Sequence, residues 1–175
     1  MYISQATNNP SAVTISGHSH SSSTATSNGG SIYFYDHIAN GVSPYRVVYL
    51  SIGTSTFASN TCYGTGCSGA AIAFNAVESV KLVLTSTTFT SNNAGANGGV
   101  VFIDNTISQA VTLSLTSCTF TSNVAKISGG VIYVANTAAT TATTIAQGTF
   151  AGTTSTNSDG GVIYVAGTVS NQITF

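Results

Sequence analysis

A repeat of about 31 residues runs through most of this chain. The segment GGVVFI at residues 98–103 returns as GGVIYV at 129–134 and again at 160–165. Looser copies are GGSIYF at 29–34 and GAAIAF at 69–74, so the leading glycines lie 40, 29, 31 and 31 residues apart. A period of roughly 20 to 50 residues is the signature of a solenoid, a propeller or another repeat array.

A second motif accompanies each glycine pair. TFTSN at 88–92 returns at 119–123, with weaker copies TFASN at 56–60 and TFA at 149–151. His20 takes the place of the Phe in the first repeat, which we therefore interpret as degenerate.

Charge is scarce, and this excludes several classes of function. Only 4% of the 175 residues are charged, against about 25% in an ordinary globular domain. Recurring aromatic and β-branched residues argue against disorder. Three dispersed basic residues offer no surface for nucleic acid, and no apolar run has the roughly 20 residues of a transmembrane helix.

The pattern within each repeat predicts strands. Residues 111–115, VTLSL, alternate apolar and polar side chains, and Gly, Asn, Ser and Asp separate such runs. A repeat of about 31 residues holds about three short strands, which is one coil of a right-handed parallel β-helix. Blades of a propeller are longer, and leucine-rich repeats need a regular Leu frame.

We therefore predict an all-β, single-stranded, right-handed parallel β-helix of about five coils, forming one domain over residues 1–175. Residues 1–34 form a degenerate first coil, and residues 35–68 form an irregular coil with an insertion and a Cys62/Cys67 loop. Residues 69–175 form regular coils. The last residues show no polar cap, so we expect an open C-terminal end.

Stacked coils place equivalent residues above one another, and the predicted inward columns are mostly apolar. The core ladder comprises Ile32, Ile72, Val101, Ile132 and Ile163, together with Phe57, Phe89, Phe120 and Phe150. Asn60, Asn92 and Asn123 follow three of these Phe residues. We expect these amides to turn inward at a corner and to hydrogen-bond backbone that would otherwise be buried without a partner.

Two outward columns are candidate binding surfaces. Tyr33, Phe102, Tyr133 and Tyr164 form an aromatic ladder that we place beside Val100, Val131 and Val162, and an apolar outer face of this kind indicates a partner, a glycan or cover by the insertion. Thr88, Thr90, Thr119 and Thr121 flank the inward Phe residues as Thr-x-Thr pairs. Such pairs are the surface device of β-helical ice-binding proteins, and they also suit an exposed strand that has no ligand.

Catalytic and metal-binding patterns are weak. The four acidic residues are Asp36, Glu78, Asp104 and Asp159, too dispersed for the paired carboxylates of a polysaccharide-degrading β-helix. His18 and His20 form an i, i+2 pair with no third ligand nearby in sequence, so we assign no metal and no cofactor. Cys62 and Cys67 bracket a short loop that a disulfide could close, and Cys118 stands alone.

The glycine motifs at 98–101, 129–132 and 160–163 and the Phe-x-x-Asn motifs at 57–60, 89–92 and 120–123 resemble the chlamydial polymorphic membrane proteins. These are autotransporter adhesins whose passenger repeats carry GGA(I/L/V) and FxxN. Here Val replaces the Ala of the first motif. The likeness covers residues 56–165, and other extracellular β-helices carry similar motifs. The resemblance implies a surface-exposed rod with an adhesive or structural role.

The sequence thus favours a non-catalytic extracellular or cell-surface β-solenoid. We expect it to be a subunit or fragment of a fibre or filament that self-associates through open ends or the aromatic ladder. The alternatives are an ice-binding β-helix that uses the Thr pairs and a β-helix that binds or degrades polysaccharide. Expected partners are further copies of the chain and glycans.

Overall fold

A computed structural model describes residues 2–5, 11–36, 47–75, 79–105, 110–136, 141–166 and 173–174. The described residues form short strands and turns without a helix, so none of them provides a helix that could cross a membrane. Residues 37–46 of the predicted insertion and Glu78 lie outside the described ranges.

In chain order the strands are β1 (Tyr2–Gln5), β2 (Ser11–Ser16), β3 (Ser19–Ser21), β4 (Thr24–Ala25), β5 (Ile32–Asp36), β6 (Val47–Gly53), β7 (Thr56–Ala58), β8 (Thr61–Cys62), β9 (Ile72–Asn75), β10 (Ser79–Thr85), β11 (Thr88–Thr90), β12 (Asn93–Ala94), β13 (Val101–Asn105), β14 (Val111–Thr116), β15 (Thr119–Thr121), β16 (Val124–Ala125), β17 (Ile132–Asn136), β18 (Thr141–Ala146), β19 (Thr149–Ala151), β20 (Thr154–Ser155), β21 (Ile163–Val165) and β22 (Ile173–Thr174).

Every strand pairs in parallel with the strand four places along the chain, which makes four sheets. Sheet A is β1-β5-β9-β13-β17-β21, and sheet B is β2-β6-β10-β14-β18-β22. Sheet C is β3-β7-β11-β15-β19, and sheet D is β4-β8-β12-β16-β20. The predicted all-β parallel solenoid and its coil of about 31 residues are confirmed. Right-handed winding stays a prediction, based on the preference of parallel crossovers.

Two details of the prediction were wrong. A coil contributes four strands rather than three, because the two-residue strands of sheet D, such as Thr24–Ala25, are too short to show a pattern in sequence. The coil count also differs from five, because sheets A and B hold six strands while sheets C and D hold five. The extra strand of sheet A is Tyr2–Gln5, which has no glycine pair to mark it.

The register superposes the repeats residue on residue. Ile132 pairs with Val101 on one side and with Ile163 on the other. Phe89 pairs in the same way with Phe57 and Phe120. Like side chains therefore form continuous vertical columns through the solenoid.

Three corners of the coil use left-handed backbone, with φ between 48° and 76°. The corner between sheets B and C contains Gly17, Thr54, Ser86, Ser117 and Gln147, and the corner between sheets C and D contains Ser22, Ser59, Ser91, Ser122 and Gly152. The third corner, which leads into sheet A, contains Gly29, Gly69, Gly98, Gly129 and Gly160. Positive φ disfavours side chains with a Cβ, so the short polar Ser is the usual alternative to Gly here.

The two glycines of each pair are needed for different reasons. A Cβ on Gly98, the first of its pair, would lie 2.2 Å from the carbonyl oxygen of Val101 in the same coil. A Cβ on Gly130, the second of its pair, would lie 2.3 Å from the carbonyl oxygen of Gly161 in the next coil. The first glycine therefore allows the turn, and the second allows the coils to stack closely.

The backbone at the start of each sheet A strand, directly after the glycine pair, differs from the predicted alternation. The amides of Val100 and Val101 both donate to the carbonyl of Val131, each at 2.9 Å, a two-to-one pairing that resembles a β-bulge. Alternation is interrupted at this point, so consecutive residues both turn inward. Val100 and Val131 are fully buried in the core and Val162 packs against it, so the predicted position of these residues beside the aromatic ladder was wrong.

The second position of the glycine pair offers a matched stability test. We predict that Gly130→Ala lowers the free energy of unfolding by roughly 1–3 kcal/mol, because its methyl group must displace backbone of the next coil. Gly161→Ala should change it by less than about 0.5 kcal/mol, since a Cβ there meets nothing within 4 Å. Urea denaturation followed by circular dichroism measures both, and equal effects of the two substitutions would contradict the assignment.

Candidate functional site

The predicted core ladder lies inside the solenoid. Ile32, Ile72, Val101 and Ile132 are fully buried, and Ile163 in the last described coil is half-buried. Phe57, Phe89, Phe120 and Phe150 stack ring on ring with centroids 4.9–5.1 Å apart. His20 continues this stack, 4.8 Å from the Phe57 ring and almost parallel to it.

The Asn ladder forms a buried chain of amides. Asn92 Nδ2 donates to Asn123 Oδ1 at 2.9 Å and to the Phe57 carbonyl at 3.0 Å. Its Oδ1 accepts from the backbone amide and Nδ2 of Asn60. Every polar atom of this side chain therefore has a partner in a neighbouring coil, and these bonds hold the corner between sheets C and D.

The residue before each Asn was missed in the sequence. Ser59, Ser91 and Ser122 hold the left-handed corner that turns the following Asn inward. The signal was visible, because the motif reads Phe-x-Ser-Asn in all three copies.

The aromatic ladder is in register on the outer side of sheet A, but it is unevenly exposed. Tyr133 stacks on Phe102 at 5.6 Å and on Tyr164 at 5.2 Å, and both Tyr residues are half-exposed. Phe102 is only 8% exposed, and Ala73, the next member of the column, is fully buried. Stacked rings present their edges rather than their faces outward, and Tyr133 and Tyr164 form the accessible stacked end of the ladder. Tyr33, on the other side of Ala73, is also half-exposed, and its hydroxyl accepts a hydrogen bond from Asn75 Nδ2 at 3.1 Å.

Ionisable groups beside the ladder are partly shielded from water. Burial raises the pKa of Tyr133, and the neighbouring Tyr164 and Asp104 raise it further. Burial also raises the pKa of Asp104, which lies two residues after Phe102 on the same strand. Both shifts extend the neutral forms of Tyr133 and Asp104 to higher pH.

The Thr pairs lie on the outer side of sheet C. Thr88 pairs with Thr119 and Thr90 with Thr121, and all four side chains are half-exposed. Phe89 and Phe120 between them are fully buried, so the alternation of this sheet is regular.

Cysteines occupy two different environments. A disulfide joins Cys62 and Cys67, both almost fully buried, and closes the loop that carries the exposed Tyr63. The carbonyl of Gly64 in this loop covers Gly95 of the next coil. Cys118 is a free, buried thiol whose pKa is raised by that burial.

The described residues contain no group of three or more His, Cys, Asp or Glu that could hold a metal ion. His18 and His20 have ring centroids 6.2 Å apart and line a cavity of about 250 Å³ with Val13, Thr14 and Ile15. Asp104 shares its column with Asn75 and Tyr35, so Asp104 and Asp36 take different positions in the register of sheet A.

A buried amide with a matched exposed neighbour tests the Asn ladder. Asn92→Ala should lower the free energy of unfolding by roughly 3 kcal/mol, because it removes the buried acceptor of the Asn60 backbone amide and Nδ2 and the buried donor to the Phe57 carbonyl. Asn93→Ala, at the adjacent exposed position, should change it by less than about 0.5 kcal/mol. Chemical denaturation measures both, and a small effect of Asn92→Ala would refute the proposed role.

His20 should make the first coil sensitive to acid. Burial, with a smaller contribution from His18, lowers the pKa of His20 from its ordinary value of 6.5, and the buried Nε2 atom has no partner among the described residues. The unfolded chain therefore binds the proton more readily, so stability is complete above pH 6.5 and declines as pH falls towards the folded-state pKa. Thermal melts at pH 7.5 and 5.5 should show this decline, and His20→Phe should reduce it. An unchanged pH dependence in this variant would rule out His20 as its source.

Comparison with known families supports the resemblance carried by the motifs. A family model described as the Chlamydia polymorphic membrane protein repeat matches residues 117–135. This segment contains Phe120, Asn123 and the glycine pair of one coil, which the structure places in the stack, the amide ladder and the corner. No curated protein and no solved structure matches the chain significantly. The chain thus contains a repeat similar to that of the chlamydial polymorphic membrane proteins.

Proposed function

We propose that this chain is a non-catalytic, surface-exposed adhesive β-solenoid, similar in role to the passenger of a polymorphic membrane protein. The observation that carries the proposal is the repeat match at residues 117–135, whose Phe, Asn and Gly residues each form a structural column in this solenoid. An extracellular location is consistent with the Cys62–Cys67 disulfide.

The rigid scaffold favours adhesion over catalysis. Its interior is filled by stacked apolar side chains. Outward columns repeat at the strand spacing of about 4.8 Å, so a single contact type recurs along the rod. Recurrence of a weak contact raises the total avidity of a surface protein.

Self-association would use the Tyr133–Tyr164 end of the aromatic ladder. Both rings are half-exposed, and they stack on each other with centroids 5.2 Å apart.

Sedimentation velocity tests this contact. The chain should sediment as a species larger than its 17.6 kDa monomer, and Tyr133→Ser with Tyr164→Ser should shift it to the monomer. Tyr63→Ser, which removes a 60% exposed Tyr from the disulfide loop, should leave the association unchanged. A wild-type chain that stays monomeric at high concentration would contradict the self-association proposal.

Adhesion is measured separately. Beads coated with the chain should bind cultured animal cells more than albumin-coated beads, and binding should fall after the chain is reduced and denatured. Equal binding of coated and control beads would contradict the adhesive role, whatever the oligomeric state.

A further inference from the structure

The outer side of sheet C carries regular columns of Ser residues in addition to its Thr pairs. In one coil the left-handed corners Ser86 and Ser91 flank Thr88 and Thr90, and the next coil repeats the order Ser-x-Thr-x-Thr-Ser over residues 117–122. The strands of the two coils pair without offset. We call these eight residues and their equivalents in the other coils the hydroxyl face.

The hydroxyl face is uncharged and contains no aromatic side chain among the described residues. The equivalent positions in the other coils are Thr, Ser, Ala, Gly and one Gln, whose Oε1 accepts from Ser117 at 2.8 Å. All are exposed or half-exposed. A charged ligand finds no opposite charge here, and a sugar ring finds no aromatic ring on which to stack.

This face is also rigid. Each Thr pair brackets a Phe that is fully buried and stacked on the next Phe, with Phe89 and Phe120 only 3° from parallel. Thr is branched at Cβ and has few rotamers in a strand, so its methyl and hydroxyl groups hold fixed positions. Binding would therefore cost little side-chain entropy.

The spacing of the face fits a periodic partner. Hydroxyls repeat about every 4.8 Å from coil to coil and about every 6.6 Å between alternate residues of one strand. Each hydroxyl both donates and accepts hydrogen bonds, as water does. The surface of ice is a neutral lattice of this kind, because its water molecules donate and accept hydrogen bonds at regular distances of this order.

We propose that the hydroxyl face binds ice, with the Thr columns as its centre and the corner Ser columns as its borders. The proposal is independent of adhesion, because the ladder of Tyr133 and Tyr164 belongs to sheet A and the hydroxyl face to sheet C.

Two double variants on adjacent coils test it. Thr88→Tyr with Thr119→Tyr places bulk at the centre of the hydroxyl face. Val83→Tyr with Ser114→Tyr places the same bulk on half-exposed, register-paired positions of sheet B. Thermal hysteresis and ice-crystal shape are measured by nanolitre osmometry, with circular dichroism to verify folding.

Wild type and the sheet B variant should show equal hysteresis and faceted crystals, and the sheet C variant should lose at least about tenfold of the activity. If the sheet C variant fails to fold, Thr90→Lys with Thr121→Lys obstructs the second Thr column and should give the same loss. Round, freely growing crystals with wild type would overturn the proposal, and so would equal losses in the sheet B and sheet C variants.

Discussion

Close stacking of like residues between successive coils is the constraint on which the whole structure depends. Parallel pairing without offset places each residue about 4.8 Å from its equivalents above and below. Every position must therefore tolerate a copy of itself. Phe does so through parallel rings, Asn through amide hydrogen bonds, and the second glycine through the absence of a Cβ.

The same constraint accounts for the scarcity of charge. Two like charges at about 4.8 Å repel each other by roughly 1 kcal/mol in water and by several times more beside protein. A charged column would add this cost at every coil. Lys81 accordingly interrupts a neutral column: it pairs with Tyr49 and Thr112, and its ammonium lies 5.2 Å from the centroid of the Tyr49 ring. Ser and Thr supply the polar surface without this penalty.

How far the sequence predicted this structure depends on the strength of the local signal. The glycine pairs and Phe-x-x-Asn motifs recur at a fixed period, so the parallel solenoid and its coil length could be predicted. The two-residue strands of sheet D are too short to show a periodic pattern, and β1 lacks a glycine pair. The number of strands per coil and the number of coils therefore could not be predicted. The inward position of Val100 depends on two amides sharing one carbonyl, a backbone event that alternation of side chains does not reveal.

The sequence predicted which residues of the candidate surfaces align from coil to coil, but it did not predict how exposed their side chains are. Alternation identified Phe102 as outward, yet it is 8% exposed, and the Tyr133 ring of the next coil stacks on it at 5.6 Å. The Ser columns beside the Thr pairs were visible in the motif, but their place on the same face followed only from the left-handed corners.

Structure and recognition are divided between the two sides of each strand. The segment that matches the repeat model contains Phe120, Asn123 and Gly129, which lie in the core or hold a corner. Thr119, Thr121 and Tyr133 alternate with inward residues and are half-exposed, so we expect substitutions there to cost less stability than substitutions in the core. Outward columns can therefore change along the rod without loss of the fold. One solenoid can carry an aromatic ladder on sheet A and a neutral hydroxyl lattice on sheet C, and each can acquire its own partner.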